Sequence, residues 1–93
     1  MLGAVRGVRA RLYYQRQSLW ELGPEAEAWL TELVHRRPAR WPLDVEECFG
    51  LLQEQGPARL RAALALGLQQ GAIGAEYVPA HLAQAEARAA GAG

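Results

Sequence analysis

Residues 56–78, GPARLRAALALGLQQGAIGAEYV, decide the fold because they contain an amphipathic helix between glycine-marked boundaries. Proline at the first helical position gives up no hydrogen bond and presets φ, so Gly56-Pro57 predicts a helix start. Gly71 predicts its end. One face of this helix carries Leu60, Ala63, Leu64, Gly67 and Leu68. Gly67 within that face predicts the close approach of a neighbouring helix.

A second junction, Gly23-Pro24, predicts another helix start. Acidic residues lie in its first turn and basic residues in its last turn, as the helix dipole favours, and Pro38 ends it. The apolar residues recur at i, i+3, i+4, i+7 and i+8, which predicts one buried face. They are Ala26, Trp29, Leu30, Leu33 and Val34.

The remaining segments also have helical patterns. Residues 4–20 predict a helix, although Leu12-Tyr13-Tyr14 is also compatible with a short extended piece. Residues 38–42, PARWP, predict a linker in which Trp41 is anchored against a helix. Residues 43–55 predict a helix that ends at Gly56 in the left-handed conformation. The last helix is expected to begin at Gly74 or near Pro79.

Together these patterns predict an all-α fold, a small bundle of four to five short helices. Residues 1–20 are predicted as a basic N-terminal helix or arm, and residues 21–82 as the helical bundle domain. Residues 83–93 form an Ala/Gly-rich tail that is expected to fray. The 93 residues suffice for one small domain with a thin core.

Composition limits the function classes. The net charge is zero, so no overall field draws the chain to nucleic acid or to a membrane. The single cysteine, Cys48, excludes an internal disulfide, and no apolar run approaches the length of a membrane span. We therefore expect a cytoplasmic protein that does not associate with membranes.

No constellation of catalytic or metal-ligating residues is visible. His35 and His81 are far apart in sequence, and Cys48 falls on an apolar stripe, where a small buried hydrophobe is the expected role. Asp44 lies in a helix's first turn, where acids are stabilising by themselves. The sequence therefore predicts no catalytic residue, no metal, no cofactor and no small-molecule substrate.

Arginine supplies every basic side chain, and it clusters twice. Because arginine binds phosphates and aromatic rings stack on bases, the group beside Trp41 is a candidate nucleic-acid contact, with a solvated helix end as the alternative. This group is Arg36, Arg37 and Arg40. The acid-free N-terminal segment is the second candidate, and it also has features of a mitochondrial transit peptide. Its arginines are Arg6, Arg9, Arg11 and Arg16.

An ordered set of motifs runs through residues 20–82: Leu22-Gly23-Pro24-Glu25-Ala26, Arg36-Arg37-Pro38, Cys48-Phe49-Gly50-Leu51-Leu52, Gly56-Pro57-Ala58-Arg59-Leu60 and Gly71-Ala72-Ile73-Gly74-Ala75-Glu76-Tyr77-Val78. In this order they resemble the C-terminal helical region of the larger transposase of IS21-type bacterial insertion sequences. The resemblance covers about two thirds of the chain.

This resemblance implies a role in DNA transposition, in which element ends are cut and joined with the help of a partner ATPase. The family's catalytic carboxylates belong to an RNase H-like domain that nothing in this chain matches. The resemblance therefore implies a non-catalytic domain or a truncated product. Its expected partners are a second copy of itself, the helper ATPase or the DNA backbone. The alternative is a standalone helical adaptor whose hydrophobic groove takes a partner helix.

Overall fold

The computed structural model describes residues 2–92, with side chains for residues 9–91, and all of its regular elements are helical. The helices are α1 (Leu2–Trp20), α2 (Pro24–Arg36), α3 (Trp41–Gln55), α4 (Pro57–Gln70) and α5 (Val78–Ala92), with a short 3-10 turn, Ala75–Tyr77, before α5. Helix α4 packs against α5 and α2, and α1 packs mainly against α3. The predicted all-α bundle is confirmed.

Both Gly-Pro junctions mark helix starts, but Gly56 differs from its predicted conformation. Its φ is 87° and its ψ is 162°, so the backbone is not in the left-handed helical region. The reason is that Gly56 serves two helices at once. Its N–H donates to Leu52 O (2.9 Å) at the end of α3, while its C=O accepts from Leu60 N (3.2 Å) in α4. The extended ψ redirects the chain within one residue.

Helix α3 begins earlier than the sequence predicts. Trp41 and Pro42 belong to its first turn, and the linker shortens accordingly. The first N–H groups of a helix have no partner within it, so proline costs nothing at this place. The Trp41 N–H donates to Arg37 O (2.9 Å), and the Trp41 side chain packs against the core, as expected.

Both ends of the chain contribute helices. The segment Leu12-Tyr13-Tyr14 is helical, and Leu19 of α1 is fully buried in the core. At the other end, Gly74 precedes the 3-10 turn, and Pro79 lies in the first turn of α5. The two predicted starts of the last helix therefore mark the two parts of one helical segment. Residues 83–92 lie in α5.

The core forms around Trp29, the largest fully buried side chain. The close approach predicted at Gly67 is confirmed, and its neighbour is Trp29 of α2. A Cβ at Gly67 would lie 3.0 Å from Trp29 Nε1 and 3.1 Å from Ala72 O. Gly67 therefore lets the indole pack directly on the backbone of α4. Cys48, which is also fully buried, lies on the apolar stripe of α3, as predicted.

We expect Gly67→Ala to lower the free energy of unfolding by about 1–3 kcal/mol, because the added methyl group overpacks the contact with Trp29. Gly50→Ala is the matched control, since a Cβ at Gly50 meets nothing within 4 Å. Alanine in the middle of α3 should stabilise the fold by up to about 1 kcal/mol. Urea unfolding at one low protein concentration measures both, and equal stabilities would contradict the packing argument.

Candidate interaction surface

Arg37 joins three elements through two carboxylates. Its Nη1 donates to Asp44 Oδ1 (3.2 Å) and to Glu76 Oε1 (2.6 Å), and its Nη2 donates to the other oxygen of Glu76. Asp44 is fully buried, and its Oδ1 also accepts the N–H of Ala75 (3.1 Å). We call these four residues the Arg37 cluster. It connects the end of α2, the first turn of α3 and the 3-10 turn.

The cluster changes the ionisation of its members. Hydrogen bonds donated by Arg37 lower the pKa of Glu76 from 4.5 to about 2, with a further contribution from a backbone hydrogen bond. The same hydrogen bond to Glu76 raises the pKa of Arg37. Both groups are therefore charged over the whole neutral range.

The other two arginines of the predicted nucleic-acid group also have partners within the chain. Arg36 donates to Glu32 (2.9 Å) and to Gly71 O (2.9 Å), and Gly71 ends α4. Arg40 lies 3.6 Å from Asp44 Oδ1 and 3.9 Å from a Glu47 oxygen. A phosphate at this place would compete with the carboxylates of the chain. Nucleic-acid contact by these three arginines stays a prediction.

We expect Asp44→Ala to destabilise the fold by about 2–4 kcal/mol, because Arg37 then loses its buried partner. The partial exposure of Arg37 to water limits this cost. The Ala75 N–H also loses its acceptor. Glu47→Ala, which removes an exposed carboxylate from the same helix, should cost less than about 0.5 kcal/mol. Thermal and urea unfolding measure the difference. Similar losses in the two variants would contradict a structural role for the cluster.

The Arg37–Glu76 pair also predicts a pH dependence. The folded-state pKa of Glu76, about 2, lies below its ordinary value of 4.5. The pair therefore stabilises the fold above about pH 4.5, and this stability is lost as the pH falls through about 2. We expect the advantage of the wild-type chain over Glu76→Gln to be constant at neutral pH and to shrink from pH 4.5 downward. Urea unfolding at several pH values measures it, and a constant advantage down to pH 2 would contradict the pairing.

The N-terminal arginines differ from Arg36, Arg37 and Arg40 in their ion pairing. Arg9, Arg11 and Arg16 are exposed, and no carboxylate with described coordinates lies within 4 Å of their guanidinium groups. The side chain of Arg6, the fourth candidate, lies outside the described residues.

Two of these arginines share a face of α1 with aromatic rings. Arg9, Tyr13, Arg16 and Trp20 follow the spacing i, i+4, i+7 and i+11, and we call them the α1 stripe. Tyr13 is 64% exposed and Trp20 is 37% exposed. The stripe therefore presents partly exposed aromatic rings beside guanidinium groups that have no carboxylate within 4 Å among the described side chains.

A cleft of about 200 Å³ lies along this stripe. It is lined by Arg9, Leu12, Tyr13, Arg16 and Trp41. Leu12 and Trp41, which pack against the core, form the apolar part of the cleft, and Arg9 and Arg16 form its basic part. Arg9 and Arg16 are candidates from the sequence, whereas Tyr13 was not predicted as a member of the site. The spacing of Arg9, Tyr13 and Arg16 was the available signal.

Cys48 and His81, the side chains that could act as a nucleophile or a metal ligand, are both buried. Burial raises the pKa of the Cys48 thiol to about 12. His81 is buried, burial lowers its pKa, and its Nε2–H donates to Gln70 Oε1 (3.2 Å). Within the described part of the chain, no three metal-ligating side chains cluster, and no helix is long and apolar enough to cross a membrane.

Comparison with protein-family models, with curated proteins and with solved structures finds no match to this chain. The resemblance to the IS21-type transposase region therefore rests on the ordered sequence motifs alone.

Proposed function

We propose that this chain is a non-catalytic, cytoplasmic binding domain that acts through protein–protein contacts in DNA transposition, as the C-terminal helical region or a truncated product of an IS21-type transposase. The ordered motifs support the family part of the proposal. The α1 stripe supports binding, and it is the observation that carries the proposal.

The composition of the stripe favours a protein partner. Tyrosine, tryptophan and arginine are the residue types that contribute most to protein–protein binding energy. Here they lie on one helix face, beside a cleft that is partly apolar. Two further apolar side chains are exposed on these helices, Tyr14 (63%) on α1 and Leu43 (55%) on α3. An interface of this type has an apolar centre and a charged rim.

DNA-backbone binding is the less favoured mode. The chain carries no net charge, and Arg36, Arg37 and Arg40 are engaged with acceptors of the chain itself. The arginines of α1 are the remaining candidates for phosphate contacts. A standalone adaptor would use the same stripe for a partner outside transposition.

We expect the purified chain to bind the helper ATPase of an IS21-type element, and Tyr13→Ala to weaken that binding about 30-fold, since a central aromatic contact contributes about 2 kcal/mol or more. Tyr77→Ala is the matched control, because Tyr77 is an exposed tyrosine (43%) outside the stripe. Calorimetric titration measures both variants. If Tyr13→Ala and Tyr77→Ala lower the affinity equally, the stripe is not the binding surface.

The same titration with duplex DNA tests the competing mode. If the α1 arginines bind phosphates, log affinity falls linearly with log salt concentration. DNA binding with that salt dependence, together with no binding to the ATPase, would overturn the proposal. An in-frame RNase H-like catalytic domain encoded upstream of Met1 would support the transposase origin, whereas an unrelated upstream gene would favour the adaptor.

A further inference from the structure

A second cleft, of opposite charge, lies on α3. It has a volume of about 340 Å³, and Glu47, Gly50, Leu51, Glu54 and Pro79 are among the residues that line it. Glu54 has no cationic partner within 4 Å among the described side chains. Glu47 has only Arg40, at 3.9 Å. We call this the α3 cleft.

The two surfaces have the same spacing. Arg9 and Arg16 are seven residues apart on α1, and Glu47 and Glu54 are seven residues apart on α3. Seven residues correspond to about 10.5 Å along a helix axis. Two helices that lie side by side can therefore form both arginine–glutamate pairs at once.

The apolar residues between the charges select one orientation. In an antiparallel arrangement, Arg9 lies opposite Glu54, and Arg16 lies opposite Glu47. Tyr13 then lies opposite Gly50, whose missing Cβ would meet nothing within 4 Å. A parallel arrangement would instead place Tyr13 opposite Leu51, which already fills that position. The space at Gly50 therefore suits the exposed tyrosine ring.

We infer that the partner of the α1 stripe is a second copy of this chain, which docks its α3 cleft antiparallel onto the stripe. This inference rests on the proposed function of the stripe as a protein-binding surface. Charge complementarity identifies the occupant, because the chain has separated its charges: residues 1–20 contain no acid, and α3 contains no base. A net charge of zero leaves no overall repulsion between copies.

Sedimentation equilibrium with the full chain tests the inference. We expect the mean mass to rise above that of the monomer between about 1 and 300 µM protein, the range of weak association. Because the pairs are exposed, the association constant should fall at least about tenfold between low and high salt. A chain that stays monomeric over this range at low salt would overturn the inference.

Charge exchange gives the sharpest test. The variant Arg9→Glu/Arg16→Glu and the variant Glu47→Arg/Glu54→Arg should each be monomeric, because like charges then face each other. Mixed in equal amounts, the two variants should associate at least as strongly as the wild-type chain, since every pair is complementary again. Failure of the mixture to associate would overturn the docking of these two surfaces.

Gly50→Leu tests the place of the tyrosine ring. A Cβ at Gly50 meets nothing within 4 Å in the single copy, and leucine is a strong helix former, so the variant should fold, which circular dichroism checks. It should nevertheless stay monomeric. The control for the charge-exchange variants is Arg61→Glu/Arg88→Glu, which makes the same charge change as Arg9→Glu/Arg16→Glu but outside both surfaces. It should associate normally. Normal association of Gly50→Leu would overturn the antiparallel docking.

The outcomes separate this inference from the proposed function. A monomeric chain that binds the ATPase through Tyr13 would overturn the second copy as partner and support the proposed function. Rescue by the mixed variants in a chain that does not bind the ATPase would support the second copy and overturn the ATPase as partner. A monomeric chain that does not bind the ATPase and whose α1 arginines bind duplex DNA would overturn both.

Discussion

The buried carboxylate of Asp44 is the constraint on which the arrangement of the helices depends. A fully buried carboxylate needs hydrogen-bond donors, and Arg37 and the Ala75 N–H both donate to Oδ1 of Asp44, whereas its Oδ2 has no hydrogen-bond partner among the described residues. Arg37 reaches Asp44 and Glu76 only because Gly74 has no side chain, since a Cβ there would lie 2.5 Å from Arg37 Nη1. The cluster thereby positions the end of α2, the start of α3 and the 3-10 turn that leads into α5.

This constraint also determines which arginines are available to a partner. Arg37 is used inside the fold, and Arg36 and Arg40 bind acceptors of the chain next to it. Arg9, Arg11 and Arg16 have no such acceptors among the described side chains, because α1 contains no acid and because Glu47 and Glu54 of α3 line a different cleft. A chain with zero net charge consequently has one basic, aromatic surface and one acidic surface, which is the basis of the self-association inferred above.

Most features of the fold that depend on neighbouring residues could be predicted from the sequence, and most that depend on contacts between helices could not. The helices at Pro24 and Pro57 and the buried stripe of Cys48 follow from local patterns, and the structure confirms them. The conformation of Gly56 was predicted wrongly because this residue serves the end of α3 and the start of α4 at once. The start of α3 was predicted too late because Pro42 fits into the first turn of a helix instead of preceding it. Arg9 and Arg16 could be identified as candidates from the sequence. The spacing of Tyr13 between these arginines placed it on their helix face, but the structure was needed to show that this face of α1 is the exposed one.

The sequence by itself determined the all-α class, the helix boundaries at the two Gly-Pro junctions and the absence of acids in the first twenty residues. These are local properties, set by backbone geometry and by apolar periodicity. Only the tertiary structure decided which neighbour packs on Gly67, which arginine pairs with Asp44 and which side chains line each cleft. Those features depend on contacts between residues distant in sequence, and helical periodicity contains no information about the partner across the contact.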